Sequence, residues 1–264
     1  MNSLRALAID WQWDVVWDRI PLLWDGLRIT LLLAFVSMAI ALVLGMAIAV
    51  MRLSRIRAVS LFAAGYVNLF RAIPLLVFIV WVYYGLPIML NIDFPPLVAG
   101  VICLSLQYGG WLAEIFRSGI QAVPKGQREA SLALSMTRPR TFFSVVLPQT
   151  VRIVTPSVGN MFVGMLKDST LVSFIGVFEI FRRAEYAANQ TFRYFEFYTA
   201  LLVIFVVLTT LVSFGVRILE RRMHTHDVLA VQPRPWSMLR RRRRLYLEDL
   251  SQGLAGQPTA GANA

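Results

Sequence analysis

The chain has 264 residues, 57% hydrophobic and only 16% charged, with a mean hydropathy of +0.62, which excludes a soluble domain of this length. Its formal net charge of +11 would suggest a nucleic-acid partner in a soluble protein. Here the basic residues crowd between and after apolar runs, as in the cytoplasmic loops of a multi-pass membrane protein, so no nucleic-acid partner is implied.

Residues 1–26 place Trp11, Trp13, Trp17 and Trp24 among Asp10, Asp14, Asp18 and Asp25. Indole rings favour the bilayer interface, so this stretch reads as an interfacial segment outside the cytoplasm. It lacks a basic start followed by a short apolar core, and no cleavable signal peptide is expected. Residues 29–51 carry no charge and are long enough to cross about 30 Å of hydrocarbon. Within this first span Ser37, Ala41, Gly45 and Ala49 recur every fourth residue, a stripe of small side chains that lets another helix approach closely. Arg52, Arg55 and Arg57 follow and set this end in the cytoplasm, which leaves the N-terminus outside.

Between Arg57 and Asp93 the only charge is Arg71, and the second span starts near Val59 or, after an amphipathic lead-in, near Ala72. A buried arginine is costly unless paired or snorkelling, so Arg71 is either an interface anchor or a pathway residue. The loop at Asn91 and Asp93 has no Lys or Arg, as expected outside. The third span covers residues 94–116, with Glu114 toward its inner end, and Gln107, Gly109, Gly110 and Trp111 mark a face turned to protein or water.

A polar stretch at residues 124–148 follows, placed in the cytoplasm by Lys125, Arg128, Arg138, Arg140 and Arg152. In it Ala130, Ala133, Leu134 and Thr137 share one face of a short helix, with Glu129 near its positive end and Pro139 ending it. Small side chains on a narrow apolar stripe suit insertion into a groove on a soluble partner. An ordinary connection would accommodate the same helix. The fourth span opens near Pro148, is apolar over residues 153–166, and is interrupted by Lys167, Asp168, Ser169 and Thr170 before an apolar piece at 171–178. Charge at that depth is paired, cavity-facing or functional; alternatively Lys167 and Asp168 pair with each other or lie in the outer interface. Residues 179–196 form an external loop or surface helix, and residues 197–216 the fifth span, closed on the cytoplasmic side by Arg217, Arg221 and Arg222. The organisation is thus an interfacial segment (1–26), an all-α transmembrane domain of about five helices (27–222) and a basic cytoplasmic tail (223–264). The tail carries Arg240 to Arg244 and is expected to be disordered. Those arginines are read as a solvated tail, with anionic membrane lipid as the other partner they could take.

No catalytic constellation is present. Cys103 is the only cysteine, which excludes an internal disulfide and a thiol metal site, and the only histidines, His224 and His226, lie in the tail. No GxxxxGK[ST] loop occurs, so ATP hydrolysis would have to come from a separate subunit, and no cofactor or metal is expected.

The stretch from Gln127 to Pro148, QREASLALSMTRPRTFFSVVLP, resembles the EAA(x3)G(x9)IxLP loop of importer-type ABC transporter permeases. Its spacing matches at every element, with Ser131 where Ala is usual and Ser135 where Gly is usual. Arg71 and Pro74 in FRAIPLL, the run EIFRSGIQAVPKGQREA from Glu114, and NMFVGMLKDSTL from Asn160 resemble segments of the polar amino-acid branch. Gly110, Trp111, Leu112 and Ala113 stand before Glu114, where that branch has Ala-Tyr. The resemblance implies the type I permease fold and a multi-pass subunit of the bacterial cytoplasmic membrane. It further implies a dimer of ABC ATPases, a second permease, identical or homologous, and an extracytoplasmic solute-binding protein. By the same resemblance Glu129 is the expected ATPase-coupling contact, seated with Ala130, Ser131, Leu134 and Ser135, and Arg71, Glu114, Asn160, Lys167 and Asp168 line the substrate pathway or gate.

The competing reading is an ion-coupled carrier without an ATPase, using Glu114, Lys167 and Asp168 as its ion site. It leaves the coupling loop unexplained, and five spans without an internal repeat are few for such a carrier. A membrane sensor or assembly factor would require a folded soluble domain, which the sequence lacks.

Overall fold

The computed structural model describes residues 12–223, all of it helical or connecting chain. After a short turn of helix, α1 (Asp14–Asp18), the 33-residue α2 (Ile20–Arg52) begins with a proline in its first turn. At about 1.5 Å per residue α2 exceeds the hydrocarbon thickness, so it overhangs or tilts. Its small residues Ser37, Ala41, Gly45 and Ala49 are all buried. The helix they receive is α6 (Pro96–Ala122): a Cβ on Gly45 would lie 2.8 Å from Leu112 Cβ and 3.2 Å from the Gly109 carbonyl. Ser105 on α6 adds a hydrogen bond to the Ser37 carbonyl at 3.3 Å.

Between these two helices in sequence lies the second span, which follows the later of the two starts the sequence offers, with a lead-in helix that ends at Ala72. Lead-in and span make a bent pair, α3 (Arg57–Ala72) and α4 (Leu75–Val80), the latter running on through a π-helical turn (Trp81–Gly85) into α5 (Leu86–Leu90). The two parts meet at 103°. Ile73 and Pro74 are both extended, and Pro74 has no N–H to continue the ladder.

The third span, α6, reaches Ala122, beyond the expected limit at 116, and Arg117 on this extra turn is held by Glu114. α7 (Lys125–Ala133) is the short helix of the polar stretch. It stops well before Pro139, which instead sits in the first turn of α8 (Arg138–Thr141). α8 continues through a π-helical turn (Phe142–Val146) into α9 (Leu147–Asp168), so the chain enters the fourth span earlier than Pro148. α9 tightens to 3-10 geometry over Ser169–Ile175, where the charged interruption was expected, and Gly176 (φ 88°) ends it. α10 (Ile180–Thr191) follows at a 53° bend, and α11 (Tyr194–Met223) completes the described chain.

Among the described residues three helices, α2, α6 and α11, are long and apolar enough to cross a membrane, and the two bent pairs bring the number to as many as five. The main core gathers around Leu33, Ile79, Leu104, Leu112 and Met165, with Cys103 buried in it. A smaller cluster joins the start of α2 to α10 and to Phe197 and Leu201 of α11. Glu179 fastens it. Its carboxylate accepts from the Phe181 and Arg182 N–H groups at 3.0 and 2.9 Å, capping α10, and from the Thr30 hydroxyl at 3.4 Å, while Thr30 Oγ1 accepts the Ile180 N–H at 3.2 Å. The tail, with Arg240 to Arg244, and residues 1–11, with Trp11, lie outside the described residues.

Candidate coupling loop and transport pathway

α7 is attached to the transmembrane helices at two points. Extended Val123 and Pro124 turn the chain out of α6 and open α7. The Arg128 guanidinium then reaches back to the Ile120 carbonyl, one of the last carbonyls of α6 that the helix itself cannot satisfy. On the other side the Ser131 hydroxyl lies 3.1 Å from the Thr141 hydroxyl of α8 and 2.8 Å from the Arg128 carbonyl. α7 closes on a Schellman motif, with Met136 N–H to the Ser131 carbonyl at 3.1 Å and Ser135 N–H to the Leu132 carbonyl at 2.9 Å. That motif needs a left-handed residue, and Ser135 supplies it at φ 60° in the position where the permease pattern has Gly.

These contacts correct two expectations. Thr137 cannot continue the apolar face of α7, because the left-handed Ser135 has already ended the helix. Ser131 is buried and turned toward Thr141, so it stitches the loop and is not on the exposed side of α7. Glu129, Ala130, Leu134 and Ser135 are exposed, Leu134 by 78%.

The expected pathway residues occupy separate places. Asp168, at the end of α9, accepts a hydrogen bond from the Tyr108 phenol of α6 at 2.8 Å. Lys167 does not pair with its neighbour; it lines a shallow pocket of about 340 Å³ with Thr170, Phe181, Tyr198 and Leu201. Glu114 bridges Arg117, one turn along α6, and Arg52 at the end of α2, the latter at 3.6 Å. Arg71 stacks its guanidinium over Trp111, 4.4 Å from the ring centre. Asn160 is exposed on α9. Glu114 stands about 9 Å along α6 from Tyr108, with its charge met by two arginines. The three groups of the ion-coupled reading therefore do not form one site, and no cluster of three or more His, Cys, Asp or Glu that could hold a metal occurs among the described residues.

A groove of about 790 Å³ between α2, α9 and α11 is apolar throughout, lined among others by Phe35, Met38, Leu42, Val158 and Val216, and suits hydrocarbon better than a zwitterion. The sequence reading missed Tyr108, although a phenol between Gln107 and two glycines inside an apolar run was a visible signal. It also missed Arg128 as a tie, having counted it only as a cytoplasmic charge. Glu179, the first residue of the stretch expected to be an external loop or surface helix, is fully buried.

Residues 26–225 match the family of binding-protein-dependent transport system inner membrane components. The probable amino-acid permease protein YxeN of Bacillus subtilis is 35% identical over 82% of this chain and 96% of its own length. The arginine transport system permease protein ArtQ of the same organism is 33% identical over 79% and 95%. A crystal structure described as an amino acid ABC transporter with histidines superposes with a TM-score of 0.75 at 36% identity, covering 81% of this chain and 100% of that one. The inward-facing MetNI methionine ABC transporter shares the fold, with a TM-score of 0.67 at 21% identity over 78% and 98%. With a type I importer fold and a match across nearly the whole described chain, the protein belongs to the binding-protein-dependent inner membrane component family, as the multi-pass permease subunit of an ABC importer.

Proposed function

We propose that this chain carries a polar amino acid or a close derivative inward by alternating access, driven by a pair of ABC ATPases that grip α7. Its N-terminus lies outside and its C-terminus in the cytoplasm. It works beside a second permease, identical or homologous, and receives cargo from an extracytoplasmic solute-binding protein. The carrying observation is the exposed face of Glu129, Ala130 and Leu134, on a helix tied to α6 by Arg128 and to α8 by Ser131. Movement of the ATPases would then reach two spans at once. The relatives named as amino-acid and arginine permeases support the cargo class. Tyr108 and Asp168 are the pathway group we favour, since the bond from the phenol holds the carboxyl group in place and leaves its second oxygen for an ammonium. Glu114 stands further along α6 from Tyr108, and Arg71 lies at the end of α3.

The test is ATP hydrolysis by the complex in liposomes, with and without binding protein, against a panel of amino acids. Stimulation by one of them, lost in Glu129→Ala while the complex stays assembled, is expected. Uptake that follows an imposed ion gradient and ignores Glu129→Ala would overturn the reading.

A further inference from the structure

The bend of the second span is held from α6. Because Ile73 and Pro74 are extended and Pro74 brings no N–H, the last carbonyls of α3 lose their helical donors. Within a bilayer no water replaces them. Gln107 of α6 does so for one of them, donating from Nε2 to the Ile73 carbonyl at 2.7 Å. The opposite orientation of the amide would set two acceptors against each other, so the donor assignment follows from chemistry. Around it the Tyr66 phenol donates to the Leu106 carbonyl at 2.7 Å, and Arg71 lies on Trp111. Three positions of α6 thus grip the end of α3 and the break.

Gln107 is only 8% exposed, and its Oε1 is buried with no hydrogen-bond partner. A buried acceptor left empty disfavours this conformation, and the loss is recovered only where a donor arrives. Donors are near in the chain: the first N–H groups of α4, directly after Pro74, have no helical acceptor. We propose that Gln107 is a positioning residue of the transport cycle. Its Nε2 sets the α3–α4 angle in the present access state, and its Oε1 takes a main-chain N–H from the start of α4 in the other. The inference rests on the alternating access proposed above.

The experiment places spin labels at Leu61 in α3 and Ile88 in α5, both exposed, in a Cys103→Ala background of the complete complex. Distances are compared without nucleotide and after trapping with ATP and vanadate. The unaltered Gln107 complex is expected to give two distinct distributions. In Gln107→Glu, which keeps an acceptor for the start of α4 but has no amide donor for the Ile73 carbonyl, the trapped-like population in the nucleotide-free sample should rise about tenfold, the shift expected from losing one buried hydrogen bond of the present state alone. A merely structural amide would lower yield and thermal stability alike in both states and leave the distributions in place, which would overturn the proposal. So would a single unchanged distance in the Gln107 complex. Should the Glu variant fail to assemble, Gln107→Asn, which keeps an amide oxygen but is one methylene too short to reach Ile73, is read in the same way. Vanadate-sensitive hydrolysis in the same samples separates this failure from that of the ATP-driven reading, in which no such activity exists.

Discussion

α6 and α11 are both long apolar helices, but 61% of the membrane-length stretch of α6 is buried within the chain against 6% for α11. α6 meets α2, α3 and α9, and carries Gln107, Tyr108, Glu114 and the Ile120 carbonyl that Arg128 holds. α11 buries chiefly its first turns, at Glu196, Phe197 and Leu201, against α10. Lipid tails and protein cores are equally apolar, so hydrophobicity guarantees insertion of both helices and says nothing of which one organises the fold. What distinguishes α6 is its small and polar residues.

The contrast can be broken most sharply at Gly119. A Cβ there would lie 2.2 Å from Val154 of α9. Gly119→Leu is expected to cost about 3 kcal/mol or more, read as loss of folded protein by size exclusion and thermal unfolding in detergent. Next comes the pad beneath α11. Glu179→Ala removes the buried cap of α10 and should lower stability by about 2 kcal/mol, measured by the same unfolding. Tyr108→Phe keeps the packing of α6 and leaves Asp168 without its phenol. About 1–2 kcal/mol is expected, with a larger fall in uptake than in stability if the pair serves the pathway. The smallest effect belongs to Leu202→Ala on the exposed side of α11, within about 0.5 kcal/mol for the isolated chain. A loss several times larger in the assembled complex would show that another subunit covers α11.

Much of the architecture could be read in advance because uncharged runs and flanking arginines are local signals. The small-residue stripe of α2 was legible for the same reason, and its recipient became clear only with α6 in place. What escaped was decided across the chain. Pro74 announced a break, but the bend is held by Gln107, far along in sequence. Pro139 looked like a helix terminator, whereas Ser135 had already taken the left-handed conformation that its composition does not advertise. Ser131 matched a docking motif by spacing, and only Thr141 reveals that it faces inward. The loop that resembles the permease pattern was visible as spacing, a local signal, and Glu129, Ala130 and Leu134 in it are exposed.

The bond from Arg128 to the Ile120 carbonyl also bears on timing. Ile120 and Tyr108 lie on one uninterrupted helix, about 18 Å apart along its axis. A helix that length is stiff, so a displacement delivered at one end arrives at the other without a relay of intermediate rearrangements. Fluorescent reporters placed beside α7 and beside Tyr108 should therefore trace a single kinetic phase with one rate constant, the two ends behaving as one crankshaft and not as successive gears.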